Sequence, residues 1–416
     1  MQFLPCSFVE KSILQRVLRV LGQPPLSLML KGRVEAHPPD VSPVGTLRIQ
    51  DRRTLLAMAV DPEIGFGEAY SDGRIQIEGD LVQMLEAVYR ATGSYQNGSL
   101  YGTLVSRWLD FWQANSLRGS RDNIHRHYDL GNDFYRLWLD DQLLYTCAYF
   151  PTPETSLEAA QVAKMDYVCH KLRLQPGERV VEAGCGWGAF ALHMARNYGV
   201  TVKAFNVSRE QISFARRKAA EQGLVDRVEF VEDDYRNISG KYDVFVSIGM
   251  LEHVGINNYP ALGNLIHKVI GDSGRGLLHF IGRNQPASFS RWIRKRIFPG
   301  AYPPSLREAI SILEPHKFSI LDVENLRLHY AKTLQHWLNR FDKASPQIAS
   351  MYDAPFVRAW HLYLAGSLAG FLTGSLQLFQ MTFAGPKRLP LSWTRAPLYT
   401  GEPAMELEPQ WTHVTS

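Results

Sequence analysis

The spacing of apolar and polar residues divides the chain into two parts. In residues 1–92, short runs with strand-like alternation are interspersed with helix-like segments. The predicted strands are 26–36, 46–51 and 74–79, and the predicted helices are 52–60 and 80–91. This pattern predicts a small α+β domain. An amphipathic helix is predicted ahead of it, from the helical spacing of Ile13, Leu14, Val17, Leu18 and Leu21.

From about residue 121 the pattern changes to strands that alternate with helices, which is typical of a doubly wound α/β sheet. The predicted strands are 179–184, 199–207, 227–232, 243–249 and 276–282, and the predicted helices are 188–197, 208–222 and 258–270. Residues 93–120 are rich in Gly, Ser and Asn around an aromatic helix at 104–112, which indicates a linker. We therefore predict domains at 1–92 and 121–390, and a C-terminal tail at 391–416.

One uncharged stretch, 362–386, is long enough to cross a bilayer and carries a ladder of small residues at Gly366, Gly370 and Gly374. Its internal polar residues argue against a membrane span. We instead predict a buried helix that ends near Gly374, followed by a strand at 376–383.

Composition narrows the class of protein. The chain has 416 residues, 45% hydrophobic and 21% charged, which is typical of soluble globular proteins. Its net charge of +4 is too small to indicate a nucleic-acid partner. The four cysteines show neither paired short spacings nor a Cys/His cluster, so we expect reduced thiols in a cytoplasmic protein and no metal site. The first residues lack the order of a signal peptide.

Charge is uneven along the chain. No acidic residue lies between Asp272 and Glu308, whereas seven basic residues do: Arg275, Arg283, Arg291, Arg294, Lys295, Arg296 and Arg307. This window is either a solvated basic face or a patch that meets anionic phospholipid head groups or phosphate. The sequence leaves both interpretations open.

A glycine-rich loop indicates the cofactor. The segment VVEAGCGWGAF places Gly184, Gly186 and Gly188 between a predicted strand and a predicted helix. A dinucleotide fold prefers G-x-G-x-x-G, which aims the helix at a pyrophosphate. The G-x-G-x-G spacing, with Glu182 two residues before the first glycine, is the pattern of S-adenosylmethionine sites, where an acid offsets the positive charge of the ligand. The next strand ends at Asn206 instead of the usual ribose-binding acid.

Five segments together carry a resemblance to a known family. They are HYDLGNDFYRLWLDDQLLYTCAYF (127–150), the CGWG loop, GMLEHVG (249–255), LLHFIG (277–282) and LRLHYAKTL (326–334). In this order and spacing they resemble the cyclopropane-fatty-acyl-phospholipid synthases, which methylate lipid double bonds with S-adenosylmethionine. The resemblance implies a Rossmann-like class I methyltransferase domain preceded by a smaller lipid-contacting α+β domain. It also implies a homodimer at the inner face of the membrane, with a phospholipid substrate.

The resemblance also implies site residues. For S-adenosylmethionine they are Tyr128, Tyr145, Thr146, Glu182, Gly184, Gly186, Gly188, Asn206, Val207, Gln211, Asp234 and Tyr235. Synthases of this family bind bicarbonate as the base, and the matching positions here are the Cys147 backbone, Glu252, His279, the Ile281 backbone and Tyr330. The bicarbonate hydroxyl would donate to Glu252, and its other oxygens would accept from His279, Tyr330 and backbone N–H groups.

The chemistry explains these residue types. Methyl transfer to an alkene leaves a carbocation, which aromatic faces stabilise without trapping it. The segment 127–150 supplies seven aromatic residues, of which we expect two or three in the pocket: Tyr128, Phe134, Tyr135, Trp138, Tyr145, Tyr149 and Phe150. A base must then remove one proton from the transferred methyl group. The motifs do not separate a cyclopropane product from a methyl-branched or methyl-alkene chain, and an inactive lipid-binding protein or a small-molecule N- or O-methyltransferase remains a rival.

Overall fold

A computed structural model describes the chain as two β-sheets, each with its own helices. The residues that it describes are 6–39, 41–93, 130–287, 289–388 and 393–400. Within these ranges the smaller sheet has four strands and the larger sheet has seven. The predicted linker helix at 104–112 and Tyr128 lie outside the described residues.

The smaller sheet has the strand order β2-β1-β3-β4. The elements of this part are α1 Cys6–Val20, β1 Ser27–Leu30, β2 Val34–Ala36, β3 Gly45–Ile49, α2 Arg52–Val60, α3 Pro62–Ser71, β4 Ile75–Gly79 and α4 Leu81–Gly93. The prediction of one strand at 26–36 was wrong: Lys31 and Gly32 have positive φ and turn the chain, so two antiparallel strands form. Helix α3 was missed because two glycines interrupt its apolar pattern.

The predicted N-terminal helix packs against the smaller sheet. Leu14, Val17 and Leu18 of α1 are buried together with Leu28 and Ile49 of the strands. The basic residues of α1 that separate the apolar ones are exposed. The apolar face of α1 is therefore part of a protein core.

The larger sheet follows the doubly wound pattern predicted for this part. The elements that build it are α5 Asn132–Arg136, α6 Leu157–Leu172, β5 Arg179–Ala183, α7 Ala189–Tyr198, β6 Thr201–Asn206, α8 Arg209–Glu221, β7 Val228–Glu232, β8 Val244–Ile248, α9 Leu251–Val254, α10 Tyr259–Ile270 and β9 Arg275–Gly282. Strands β5 to β9 are parallel, and their order reverses beside β5. Ligands of such sheets bind in the crevice at this reversal, outside the carboxyl ends of the strands.

The C-terminal elements complete the sheet order β10-β11-β9-β8-β5-β6-β7. They are α11 Arg291–Arg296, α12 Leu306–Ile310, β10 Ser319–Asn325, α13 Arg327–Met351, α14 Ala354–Thr373, β11 Gln377–Ala384 and α15 Ala396–Thr400. Strand β11 runs antiparallel between β9 and β10. Helix α14 and strand β11 account for the uncharged stretch, as predicted. No helix in the described ranges is both long and apolar enough to cross a membrane.

The two parts meet where α11 packs on α3. The ring of Trp292 lies where a Cβ on Gly67 would be, 2.3 Å from that position, so glycine permits the close approach. Around this contact the basic side chains of α11 find acids: Arg291 pairs with Asp61 at 2.6 Å, and Lys295 and Arg296 both pair with Glu68. The basic window is therefore partly balanced by acids that are distant in sequence. Arg275 is likewise buried against Glu178 at 2.6 Å.

Candidate active site

The glycine loop lies between β5 and α7, and its three glycines have different roles. All three have positive φ, in the left-handed region that favours glycine. A Cβ on Gly188 would lie 2.6 Å from the Phe230 ring, so this glycine permits close packing. A Cβ on Gly186 would meet nothing within 4 Å, whereas a Cβ on Gly184 would lie 3.1 Å from the Met250 Cβ. Gly186 therefore leaves the backbone open to a ligand, whereas Gly184 permits the close approach of Met250.

A cavity beside this loop is lined by seven of the residues predicted for the cofactor. They are Tyr145, Thr146, Glu182, Gly184, Gly186, Asn206 and Gln211. Asn206 donates to the Gly186 carbonyl at 3.2 Å and to Gln211 Oε1 at 2.6 Å. The polar residue that replaces the usual ribose acid thus holds the loop and the first turn of α8 together.

Two buried polar atoms of this cavity have no hydrogen-bond partner among the described residues: Glu182 Oε2 and Gln211 Nε2. Burial raises the pKa of Glu182 to about 8, and the nearby Lys164 ammonium opposes the rise. Orphaned buried polar atoms are costly in a native fold. A ligand with both a cationic and an accepting group would satisfy them.

Lys164 is a lining residue that the sequence did not single out. It lies on α6 and is 1% exposed, and its ammonium donates to Thr146 Oγ1 at 2.9 Å. Burial lowers its pKa to about 8 although Asp140 and Glu182 are near. Its only sequence signal is one charged residue on the apolar face of a helix.

Other predicted cofactor residues do not line this cavity. Gly188, Val207, Asp234 and Tyr235 are outside its lining. The Asp234 carboxylate accepts from the Arg236 guanidinium at 2.8 Å through both of its oxygens. Their contact with a cofactor stays a prediction.

A second, smaller cavity of about 80 Å³ adjoins the first and is lined by all five residues predicted for the anion: Cys147, Glu252, His279, Ile281 and Tyr330. The two cavities share Tyr145, Thr146, Gly249 and His253. The volume exceeds that of a single water molecule, about 30 Å³, so a small polyatomic ion has room.

Glu252 stands at the start of the short helix α9, directly after β8. Its Oε1 accepts from the Ile281 N–H at 2.5 Å, so this N–H is directed at Glu252. Its Oε2 is buried without a partner among the described residues. Burial raises the pKa of Glu252 to about 7, and the hydrogen bond from Ile281 limits the rise. One oxygen of this carboxyl group is therefore held by the protein and the other is available to a ligand.

The aromatic wall comes mostly from a region other than the predicted one. Phe134, Tyr135 and Trp138 are fully buried core residues, and Tyr149 stacks on Tyr167. Among the described aromatic residues of 127–150, Tyr145 alone lines the small cavity, where its hydroxyl bonds to Tyr363 at 2.7 Å. The other aromatic residues of the wall are Phe289, Phe298, Tyr330, Tyr363 and Phe371. Of these, the sequence singled out only Tyr330; the segments of the other four show no pattern that marks them before folding.

A third cavity, of about 790 Å³, lies between the smaller sheet and α14. The elements around the smaller sheet contribute apolar residues, among them Leu28, Leu47, Met58 and Ile77. The C-terminal elements contribute Trp292, Ile293, Leu362, Gly366 and Gly370. Four residues line both this cavity and the small one: Phe289, Ile293, Ser367 and Leu376. The glycine ladder of α14 thus faces an internal space.

Comparison with known proteins identifies the family. The sequence profile described as mycolic acid cyclopropane synthetase matches residues 115–381. The chain belongs to this family. A second profile, described as a domain of unknown function, matches residues 33–99.

Similar proteins agree with this assignment. The cyclopropane-fatty-acyl-phospholipid synthase of Escherichia coli K12 is 39% identical over 340 residues, 81% of this chain and 87% of that protein. A probable fatty acid methyltransferase of Pseudomonas putida is 31% identical over 370 residues, 86% of this chain and 92% of that protein. The crystal structure of mycolic acid cyclopropane synthase CmaA1 with SAH and CTAB has 30% identity and a TM-score of 0.60, covering 63% of this chain and 97% of that chain.

This member of the cyclopropane synthetase family is an S-adenosylmethionine-dependent methyltransferase with a Rossmann-like α/β fold, as the sequence predicted. The two relatives named above are described by their names as enzymes of fatty acyl chains.

Proposed function

We propose that the enzyme transfers a methylene group from S-adenosylmethionine to a cis double bond of an unsaturated phospholipid acyl chain and forms a cyclopropane ring. The bond between sulfur and the methyl carbon would break as the methyl carbon bonds to one alkene carbon. The transferred methyl group would then lose one proton to the base, and the ring would close on the second alkene carbon. The observation that supports this proposal best is the small cavity, where Glu252 presents an unpartnered oxygen beside His279 and Tyr330 and next to the glycine-loop pocket.

The residues present fit both groups that the family implies. Bound S-adenosylmethionine supplies the methyl group, and bound bicarbonate supplies the base. Glu182 offers a carboxylate to a cationic group, and Gln211 offers an N–H donor. In the small cavity Glu252 Oε2 accepts a hydroxyl proton, while Tyr330 and His279 offer donors to the remaining oxygens. This division avoids two facing anions.

Replacement of Glu182 by Gln tests the first fit. We expect S-adenosylmethionine to bind about 10-fold more weakly above pH 8, a loss of about 1.4 kcal/mol, because Glu182 is ionised above its pKa of about 8 whereas a neutral amide does not attract a cation. Isothermal titration calorimetry measures the change. Glu232→Gln, an exposed carboxylate at the end of the parallel strand β7, is the matched control and keeps the wild-type affinity. Equal affinities of Glu182→Gln and the wild type would contradict the assignment.

The acyl chain needs more space than the small cavity offers. We propose that it continues into the 790 Å³ cavity, whose size falls within the range of about 300–1,000 Å³ for small-molecule sites. The four shared lining residues connect the two spaces, and the apolar lining suits a hydrocarbon. The domain 1–92 then contributes one wall of the lipid site, and 121–390 contributes the other wall and the chemistry.

We also propose that the enzyme works as a homodimer at the inner face of the membrane, where its phospholipid substrate lies. Lys295 and Arg296 pair with Glu68 yet keep 57% and 44% of their side-chain surface exposed, so they can attract anionic head groups. Light scattering measures the mass of the particle in solution.

The variant K295E/R296E/E68K tests the membrane contact. Its ion pairs form with the charges of the two partners exchanged, so the contact between α11 and α3 is preserved. At the same time the surface loses positive charge. We expect binding to vesicles with anionic phospholipid to fall about 10-fold or more, since each basic residue near such a surface contributes about 1 kcal/mol. Co-sedimentation at two salt concentrations measures it. Wild-type binding by this variant would remove α11 from the membrane contact.

Mass spectrometry of lipids from cells that express the protein tests the function itself. A gain of one CH₂ per unsaturated chain is expected, and NMR signals of ring protons distinguish a cyclopropane from a methyl branch. A methyl-branched or methyl-alkene product would instead support the alternative function, in which the same site forms no ring. If the lipids gain no mass and no S-adenosylhomocysteine forms with vesicles, the result would support an inactive lipid-binding protein. Turnover with soluble amines or alcohols in the absence of vesicles would instead identify an N- or O-methyltransferase.

A further inference from the structure

A row of polar side chains crosses three neighbouring strands of the larger sheet. Glu324 on β10 is paired in register with Gln380 on β11, and Gln380 is paired in register with His279 on β9. Residues directly opposite each other on neighbouring strands place their side chains on the same face. The three side chains therefore form a continuous line that ends at the small cavity, which His279 lines.

Lys171 and Tyr167 of α6 cover this row. The Lys171 ammonium donates to Glu324 Oε2 at 2.5 Å and to Gln380 Oε1 at 2.7 Å, and the Tyr167 hydroxyl donates to Glu324 Oε2 at 2.8 Å. The other end of the Gln380 amide meets His279, with Nε2 at 3.0 Å from Nδ1. Gln380 is 0% exposed and His279 is 2% exposed, so water does not compete for these bonds.

The donor and acceptor roles in this line follow from the lysine. An ammonium group can only donate, so the atom of Gln380 that faces Lys171 must be the carbonyl oxygen. The amide nitrogen then faces His279 and donates, and His279 Nδ1 must accept. Burial and the nearby lysines hold the pKa of His279 well below its ordinary value, so the ring is neutral and carries one proton. That proton is left for Nε2.

We propose that Gln380 and Lys171 are positioning residues that keep His279 as the Nε2–H tautomer, so that its ring donates a hydrogen bond to the anion held beside Glu252. This inference rests on the proposed function. The opposite tautomer would present a lone pair to the anion. An imidazolium would bind the anion more strongly but would lower its basicity. A neutral donor holds the anion and leaves it able to take a proton.

Replacement of Gln380 by Glu tests the proposal with a side chain of nearly the same shape. A carboxylate between Lys171 and His279 can only accept, so the His279 proton moves to Nδ1 or the ring gains a second proton there. Proton-detected ¹⁵N spectra of protein labelled in histidine report which ring nitrogens are protonated, and His279→Gln assigns the signals. We expect the Nε2–H tautomer in the wild type and a protonated Nδ1 in Gln380→Glu. We expect kcat to fall about 10-fold or more, with unchanged KM for S-adenosylmethionine.

Gln377→Glu is the matched control. Gln377 is also buried on β11, but it bonds to Asn325 and to the Gly374 carbonyl, away from His279. Its variant reports the general effect of a buried carboxylate on this strand, and the His279 signals stay at their wild-type positions. An Nδ1–H tautomer in the wild type, an unchanged tautomer in Gln380→Glu, or an unchanged kcat would each overturn the proposal.

The spectra need neither lipid nor bicarbonate. A wild-type enzyme that shows the Nε2–H tautomer but forms no ring, or turns over equally well in buffer depleted of bicarbonate, would contradict the proposed function and leave the tautomer assignment standing. The two failures are therefore distinguishable.

Discussion

Glu252→Gln is expected to reduce product formation by about 10²-fold or more, a rise of about 2.7 kcal/mol in the activation barrier. Glu252 Oε1 is held by the Ile281 N–H, and glutamine keeps an oxygen for that bond. Glutamine then turns its amide nitrogen toward the cavity. The hydroxyl group of the proposed bicarbonate needs a hydrogen-bond acceptor at this position, but it meets the amide N–H donor of the glutamine. Formation of S-adenosylhomocysteine with phospholipid vesicles measures the loss, and calorimetry with S-adenosylmethionine is expected to show nearly unchanged binding.

The pH dependence of the activities of the wild type and Glu252→Gln separates the role of the carboxylate from a structural defect. The pKa of Glu252 is about 7 because the group is buried, so the accepting carboxylate forms as pH rises through 7. At saturating bicarbonate, wild-type activity is expected to rise across this range, and the residual activity of Glu252→Gln is expected to lack the step. Wild-type turnover by the variant would remove Glu252 from the chemistry.

Stability supplies the control for that experiment. Burial raises the pKa of Glu252 from 4.5 to about 7, so the folded state favours the protonated form. Its contribution to stability is present below pH 4.5 and is lost as pH rises through 7, by about 3 kcal/mol in total. A neutral glutamine escapes this loss. Glu252→Gln is therefore expected to unfold at or above the wild-type temperature at pH 8, and a lost activity cannot then be attributed to unfolding.

The elements that the sequence predicted well are those with strong local patterns. Strands β5 to β9 and helices α7, α8 and α10 begin and end within two residues of the predicted limits, because a buried strand and an amphipathic helix each repeat their pattern over several residues. The four-residue helix α9 was not predicted. The glycine loop was equally visible, since its chemistry depends on one short segment.

The features that the sequence did not predict arise from contacts between distant residues. The acids that balance α11 lie at the N-cap of α3 and within α3, more than 200 residues away, so charge spacing alone suggested an open basic face. The aromatic wall and the 790 Å³ cavity likewise combine residues from separate elements. Gln380 was visible as a polar residue in an apolar strand, but its partner His279 is 101 positions away and is joined to it by strand register.

Three parts of the fold meet at the candidate site: the ends of the parallel strands, strand β11 and helix α14. The parallel strands end at the glycine loop and near Glu252, where we propose that the cofactor and the anion bind. The antiparallel strand β11 brings Gln380 beside His279 from the other side. Helix α14 separates this chemistry from the smaller sheet, and its small residues leave the space between them open. Under the proposed function, the acyl chain therefore passes along α14 and not through the cofactor loop.

Ser367→Phe is expected to reduce kcat/KM for phospholipid by about 100-fold while S-adenosylmethionine binds as in the wild type. Ser367 lines both the small cavity and the 790 Å³ cavity, but it does not line the cavity beside the glycine loop. A phenyl ring at this position therefore fills the proposed passage of the acyl chain between the two cavities. Ser350→Phe adds the same ring at an exposed position of the neighbouring helix α13 and is expected to retain full activity. Turnover with vesicles of long-chain and short-chain unsaturated phospholipids measures the effect, which should be larger for long chains. Equal activity of Ser367→Phe and the wild type on long chains would mean that the acyl chain enters by another route.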